Sequence, residues 1–143
     1  MQNYKNHVRY YIPHHFVFLP VCLAGVVVCA IYYFKYPNLH SVWLALTAIF
    51  LLVLILAVML RQHYALTIQN RLVCMEMRFR YFALTQQRFE PIEEKLTFGQ
   101  IAALRFAPDE ELPALITRTL AENLGADAIK KSIINWKPDN MRV

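Results

Sequence analysis

The chain has 143 residues, of which 57% are hydrophobic, with a net charge of +5 and a mean hydropathy of +0.31. That apolar fraction exceeds the roughly 45–50% of soluble domains. The C-terminal half is close to neutral, and no basic stripe with base-stacking aromatics is visible, which argues against nucleic-acid binding. Three cysteines do not form a disulfide framework, and all three are expected to be reduced structural residues: Cys22, Cys29, Cys74.

Residues 1–15 predict a segment that lies at the cytoplasmic membrane interface and contains a short helix ending near Pro13. Its apolar and aromatic residues share one face of a short helix, with basic residues elsewhere. The residues of this face are Tyr4, Val8, Tyr11 and Ile12.

Two apolar segments follow, residues 16–34 and 42–60, each nineteen residues long and without a charge. About 20 residues rising about 1.5 Å each cross the roughly 30 Å hydrocarbon core of a bilayer. Both segments therefore predict transmembrane helices. The first is too long, and begins too late, for a signal peptide, so we expect an uncleaved anchor.

Seven residues, 35–41, join the spans and include the turn formers Pro37 and Asn38. So short a loop predicts an antiparallel helical hairpin. The basic residues that flank the spans set its orientation, because cytoplasmic flanks are enriched in lysine and arginine. Only Lys35 lies on the loop side, so both termini are predicted to be cytoplasmic; the flanking basic residues on that side are Lys5, Arg9, Arg61 and Arg71.

Residues 61–90 predict a cytoplasmic stalk that continues the second span, because no proline or glycine occurs from Val42 until Pro91. Apolar residues recur along it at alternating spacings of three and four, which is the heptad rule of a coiled coil. We expect a second copy to cover this stripe, with the chain's own tail as the alternative. The arginines of the stalk are expected to be solvated. The predicted interaction stripe consists of Ile68, Leu72, Met75, Phe79, Phe82 and Phe89.

Residues 91–143 predict three short amphipathic helices that pack on the stalk. Thr97 and Gln100 have the spacing of a capping box at the first helix. The acidic run 109–111 suits the start of the second helix, where the helix dipole is positive, and Gly125 suits its end. Asp127 is expected to cap a third helix that reaches Trp136.

Three stretches carry a resemblance to known sequences: YKNHVRYYIPHHF, LTFGQIAALRFAPDEELPALITRTLAENL and AIKKSIINWKPDNMRV. The chain resembles a family of small bacterial two-span inner-membrane proteins of unknown function. The resemblance covers nearly the whole chain and implies a location in the bacterial cytoplasmic membrane. It implies no activity and no catalytic residue.

His14 and His15 at the start of the first span, and His63 after the second, are the candidate haem or metal ligands. Histidine is also common at membrane interfaces, where its polar tip reaches water. No nucleotide-binding, hydrolase or metalloprotease motif occurs, and neither span has an acidic, basic or histidine residue in its interior. We therefore expect no enzyme activity and no cofactor.

The sequence as a whole predicts an all-α membrane protein: a two-helix transmembrane hairpin, a second span continuing into a long cytoplasmic helix, and three short amphipathic helices. The expected function is that of a membrane-anchored structural or interaction protein, as an oligomer or an accessory subunit of a membrane complex. Its expected partners are the lipid bilayer and either itself or other membrane-complex subunits. The alternatives are a small oligomeric channel and a haem- or metal-binding membrane subunit.

Overall fold

The computed structural model describes residues 2–7 and 10–139, and all regular secondary structure in those ranges is helical. Val8 of the predicted interfacial face and Arg9 of the predicted cytoplasmic flank lie outside the described residues. The chain divides into two compact units. One is the hairpin unit, Tyr10–Thr67, and the other, the tail unit, combines residues 2–7 with the chain from Ile68 onward.

The hairpin unit consists of two long helices packed against each other. A π-helical run, Pro13–Phe18, leads directly into α1, Leu19–Lys35. A 3-10 turn, Pro37–Leu39, reverses the chain into α2, His40–Met59. A second π-helical run, Leu60–Ala65, follows α2 without a break.

Small side chains on α1 allow α1 and α2 to approach closely. A Cβ atom added to Gly25 would lie 2.7 Å from Cε1 of Phe50, so the phenyl ring packs directly on the glycine backbone. Cys22 and Cys29 are buried on the same helix. Near the turn, the rings of Tyr32 and Trp43 lie 4.9 Å apart. Small residues at a helix–helix contact let the two backbones approach closely.

The outward faces of the hairpin unit are apolar. The helical runs Pro13–Lys35 and Pro37–Thr85 are both long and apolar enough to cross a membrane. Within the most apolar window of the second run, no side chain is buried inside the protein. Side chains as large as Val21, Phe34 and Leu52 are more than half exposed.

The tail unit is built on α3, Leu66–Thr85, whose residues from Ile68 onward belong to it. Four shorter helices follow: α4, Glu90–Glu93, α5, Phe98–Leu104, α6, Leu112–Glu122, and α7, Ala126–Ser132. The described part of the tail thus has four short helices where three were expected. The additional helix is α4, a single turn with Pro91 in its first positions. α3 ends before the predicted limit of the stalk, and Gln86 follows it with a φ of 58°.

The capping box at α5 is present: the Thr97 hydroxyl accepts a hydrogen bond from the Gln100 backbone N–H, and Gln100 Oε1 accepts one from the Thr97 N–H. Other helix ends differ from expectation. α6 begins after the acidic run, with Pro113 in its first turn. Asn123, with a φ of 49°, supplies the left-handed end of α6 that was expected of Gly125.

Gly125 instead occupies the N-cap position of α7, and Asp127 lies in the first turn. The backbone becomes extended at Ile133, so Trp136 lies beyond the helix rather than in it. The core of the tail unit gathers apolar side chains from α3, α5, α6, α7 and the connecting loops, and Ile92 of α4 packs against it. Its largest fully buried members are Phe89, Met77, Leu104, Leu112, Ile116 and Ile129.

Candidate interaction surface

The buried face of α3 packs against the rest of the tail unit. Val73, Met77 and Tyr81 are buried in the tail core, and Tyr81 meets the ring of Phe89 at 5.4 Å. Their spacing of four and four follows one side of a helix. The short helices therefore share a core with α3, and they do so on a face other than the heptad stripe.

Arg80 is the charged member of that buried face, with a side chain only 8% exposed. Its guanidinium donates to the backbone carbonyls of Arg105, at 2.9 Å, and Ala107, at 2.8 Å. It also donates to Oδ1 of Asp109, from Nη2 at 2.6 Å and from Nε at 3.0 Å. The expectation that all stalk arginines are solvated is thus wrong for Arg80, because carbonyls at the end of α5 and one carboxylate replace the water around it.

Further ion pairs connect the outer parts of the tail unit. Arg78 makes a bidentate contact with Glu93, with N–O distances of 2.6 and 3.1 Å. Arg105 pairs with Asp139 at 2.6 Å. Hydrogen bonding to Arg80 holds the pKa of the Asp109 carboxyl below its ordinary value. These contacts position the segments that follow α3.

Cys74 lies at the edge of the buried face, partly covered by the tail core. Burial raises the pKa of the Cys74 thiol, and the neighbouring Glu93 carboxylate raises it further. A thiol with a raised pKa is a poor nucleophile. The arrangement fits a structural cysteine.

The predicted interaction stripe divides into two parts. Phe89 is fully buried in the tail core and so lies apart from the stripe, because the chain turns away from the helix after Thr85. The other five side chains are 48–74% exposed, and together they form the surface that we call the exposed stripe: Ile68, Leu72, Met75, Phe79, Phe82.

The exposed stripe and the buried face lie on opposite sides of α3. In heptad notation the stripe occupies a and d, whereas Val73, Met77 and Tyr81 fall at b, f and c. Positions b, c and f point away from an a/d seam. The tail therefore covers one side of the helix and leaves the seam side to solvent.

Two exposed charges flank the stripe on its two edges. Arg71 occupies a g position and Glu76 an e position. Neither forms an ion pair with any residue of the described ranges. Arg78, at the next g position, is engaged with Glu93.

The candidate histidine ligands lie in the two π-helical runs of the hairpin unit. His14 and His15 contact each other with ring centroids 5.1 Å apart, and Nδ1 of His15 lies 3.0 Å from the carbonyl of Tyr11. The ring contact of His63 is with Tyr64, at 5.5 Å. Within residues 2–7 and 10–139, no three His, Cys, Asp or Glu side chains are grouped closely enough to hold a metal ion.

Residues 2–7 belong to the tail unit, which the sequence pattern did not indicate. The His7 ring contacts the rings of Phe106, at 5.9 Å, and Trp136, at 5.7 Å, and Lys130 Nζ lies 3.2 Å from its Nε2. Lys131 lies over the ring of Tyr4. Residues 4–6 form a turn rather than the expected helix. His7 and Lys130 are 123 positions apart in the sequence, so no local pattern could reveal the contact.

Comparison with known proteins identifies the family of this chain. No curated protein and no solved structure matches the chain significantly. The sequence model of one protein family matches the chain from residue 1 to residue 143. The chain therefore belongs to DUF6526, a family of unknown function.

Proposed function

We propose that this protein is a membrane-anchored interaction protein with no catalysis of its own. The observation that carries the proposal is the apolar exterior of the hairpin unit, whose two long helices bury almost none of their most apolar segments within the chain. Fully burying one large apolar side chain is worth roughly 1.5–3 kcal/mol. With dozens of such side chains exposed, a bilayer is the solvent that accommodates them best.

The proposed location is the bacterial cytoplasmic membrane, with both termini on the cytoplasmic side. Support comes from the basic flanks of the two spans and from the aromatic residues near the turn, such as Tyr32, Tyr36 and Trp43, which suit a membrane–water interface. On this proposal residues 1–15, 61–90 and 91–143 are cytoplasmic, and residues 35–41 form the outer loop.

The tail unit is proposed to present α3 to other proteins. Its short helices, fixed by the Arg80 contacts and a shared core, hold one side of α3, and the exposed stripe remains on the other. Five large exposed apolar side chains in a regular row are more than the scattered apolar residues of an ordinary surface. The protein would thus act as an oligomer or as an accessory subunit of a membrane complex.

The test of membrane anchoring is extraction of isolated membranes with alkaline carbonate, which releases peripheral proteins. We expect the full chain to stay in the pellet and to be released by detergent. A matched pair of variants locates the cause: Leu52→Asp with Leu56→Asp places charges in the second span, and Asn70→Asp with Glu94→Gln alters exposed residues of the tail unit. Only the first pair should reduce membrane recovery. Complete release of the unmodified chain by carbonate would overturn the proposal.

A further inference from the structure

We infer that the exposed stripe of α3 is covered by the same stripe of a second copy of this chain, with the two helices parallel and in register. The inference rests on the proposed membrane anchoring and names the partner that the interaction surface takes. The participating residues are Ile68, Leu72, Met75, Phe79 and Phe82.

The chain's own tail does not compete for the stripe. The tail helices bury the b, c and f side of α3 through Val73, Met77 and Tyr81. Phe89, which could have extended the stripe, is in that core as well. Within the described residues, the tail core thus forms without the stripe residues, and the stripe stays exposed.

The spacing of the stripe is that of a helical seam. Its residues are separated by four, three, four and three, so that Leu72 and Phe79 take a positions, and Ile68, Met75 and Phe82 take d positions. A row with this period stays aligned with an identical row on a supercoiled partner. Because Leu at a and Ile at d also suit more than two strands, the assembly can contain more than two copies.

The charges at the edges of the stripe favour an identical, parallel partner. In parallel in-register helices, each g residue faces the e residue five positions later in the neighbouring chain. Arg71 of one copy then meets Glu76 of the next, and both are without an ion-pair partner in the described chain. In an antiparallel arrangement, g residues face g residues of the other helix. That arrangement would place Arg71 close to Arg78 of the other copy, and the two charges would repel.

Anchoring imposes the same direction. α3 follows the second proposed span in the chain, so that copies inserted in one bilayer with the same orientation leave it with the same polarity. The charges also distinguish a protein partner from an anionic lipid surface. A surface-seeking helix carries lysine and arginine along both edges of its apolar face. Here one edge carries Gln69, Glu76 and Ala83.

The experiment measures the mass of the full chain in mild detergent, after subtraction of bound detergent, for variants of the seam. Phe79→Asp should reduce the mass from that of an oligomer to that of one chain, because a carboxylate cannot be buried in the seam. Phe79 is 74% exposed in the single chain, so this substitution leaves the tail core intact. Asn70→Asp adds the same charge at an exposed position outside the stripe and should leave the mass unchanged.

Charge exchange tests identity and direction. Arg71→Glu alone and Glu76→Arg alone place like charges across the seam and should weaken association. Arg71→Glu combined with Glu76→Arg restores opposite charges only if the partner carries the same exchange, and should recover the oligomer. Failure of the double variant to recover association, where both single variants lose it, would contradict the parallel pairing.

Crosslinking in isolated membranes completes the test. In a chain with Cys74→Ser, a cysteine at d (Met75→Cys) should form an interchain disulfide with a mild oxidant, whereas Asn70→Cys should form much less. A monomeric mass and no crosslink from Met75→Cys, in a chain that still resists carbonate extraction, would overturn the self-association but leave the anchoring. Release by carbonate would instead overturn the proposed function.

Discussion

Nη2 of Arg80 lies 2.6 Å from Oδ1 of Asp109, across 29 residues of sequence. The same guanidinium donates to the carbonyls of Arg105 and Ala107, so that one side chain of α3 binds the backbone where α5 ends and the carboxylate that follows it. The carbonyl of Arg105, at the C-cap of α5, lacks a partner within the helix, and that of Ala107 lies in the loop that follows. Arg80 therefore both satisfies these carbonyls and fixes the tail to α3.

Replacing Arg80 should destabilise the tail unit. Arg80→Met keeps much of the apolar stem but removes the hydrogen-bond donors of the guanidinium. Two backbone carbonyls and the Asp109 carboxylate then lose their donor, which should lower the free energy of unfolding by about 2–4 kcal/mol. Arg88→Met is the control, because Arg88 is 79% exposed and its pairing with Glu90 is worth little. Hydrogen exchange of α5 and α6 in the full chain measures the effect. Equal protection in both variants would show that Arg80 does not hold the tail.

The pH dependence of the tail should follow Asp109. Its folded pKa is depressed, chiefly by the hydrogen bonds from Arg80, so its contribution is present above the unfolded value of about 3.9 and is lost as the pH falls through the folded value. Since the carboxylate is half exposed, the contribution is at most about 1 kcal/mol after solvent screening. We expect hydrogen exchange to show that lowering the pH from 6 to 3 reduces the stability of the tail unit less in Asp109→Asn than in the unmodified chain. Identical acid losses would contradict the assignment.

The contact of Gly25 with Phe50 should be sensitive to a single methyl group. Gly25→Ala puts a Cβ atom 2.7 Å from the ring, so the helices of the hairpin must separate or Phe50 must rotate. In a Trp136→Phe chain, Trp43 fluorescence should show that Gly25→Ala unfolds at a lower SDS concentration than the chain with Gly25. Phe50→Leu in the same chain should relieve much of the loss. An unchanged midpoint for Gly25→Ala would mean that the helices are not this close.

Reporter fusions should place both ends of the chain in the cytoplasm. A reporter active only outside the cytoplasm should be silent when fused after Val143 and active when inserted after Asn38, because the basic residues flank the opposite ends of the spans. Adding arginines beside Lys35 should weaken the preference for the orientation with both termini in the cytoplasm. Activity of the fusion after Val143 would contradict the two-span topology.

The purified protein should be colourless and free of stoichiometric metal. His14 and His15 contact each other, and the ring contact of His63 is with Tyr64. The absorption spectrum and the metal content of protein purified from membranes measure this directly. A Soret band, or one metal per chain that disappears in His63→Ala, would show instead that these histidines hold a cofactor.

Much of the fold follows from short-range chemistry and was therefore predictable. The absence of charge over nineteen residues, twice, identifies the two long apolar helices. The seven-residue connection and Pro37 predict the reversal between them, and Thr97 with Gln100 marks the start of α5. In each case the residues that determine the structure lie within a few positions of one another, where backbone geometry alone brings them together.

Only the tertiary structure decided which side of α3 the tail covers. The helix carries two apolar rows, one through Leu72 and Phe79, the other through Val73 and Met77, and the heptad pattern drew attention to the first. The short helices instead pack on the second, where Arg80 can reach the carbonyls that end α5. Those carbonyls, of Arg105 at the C-cap of α5 and of Ala107 in the loop that follows, come within reach of Arg80 only in the folded chain. A contact of this kind is set by three-dimensional packing, and no spacing along the chain encodes it.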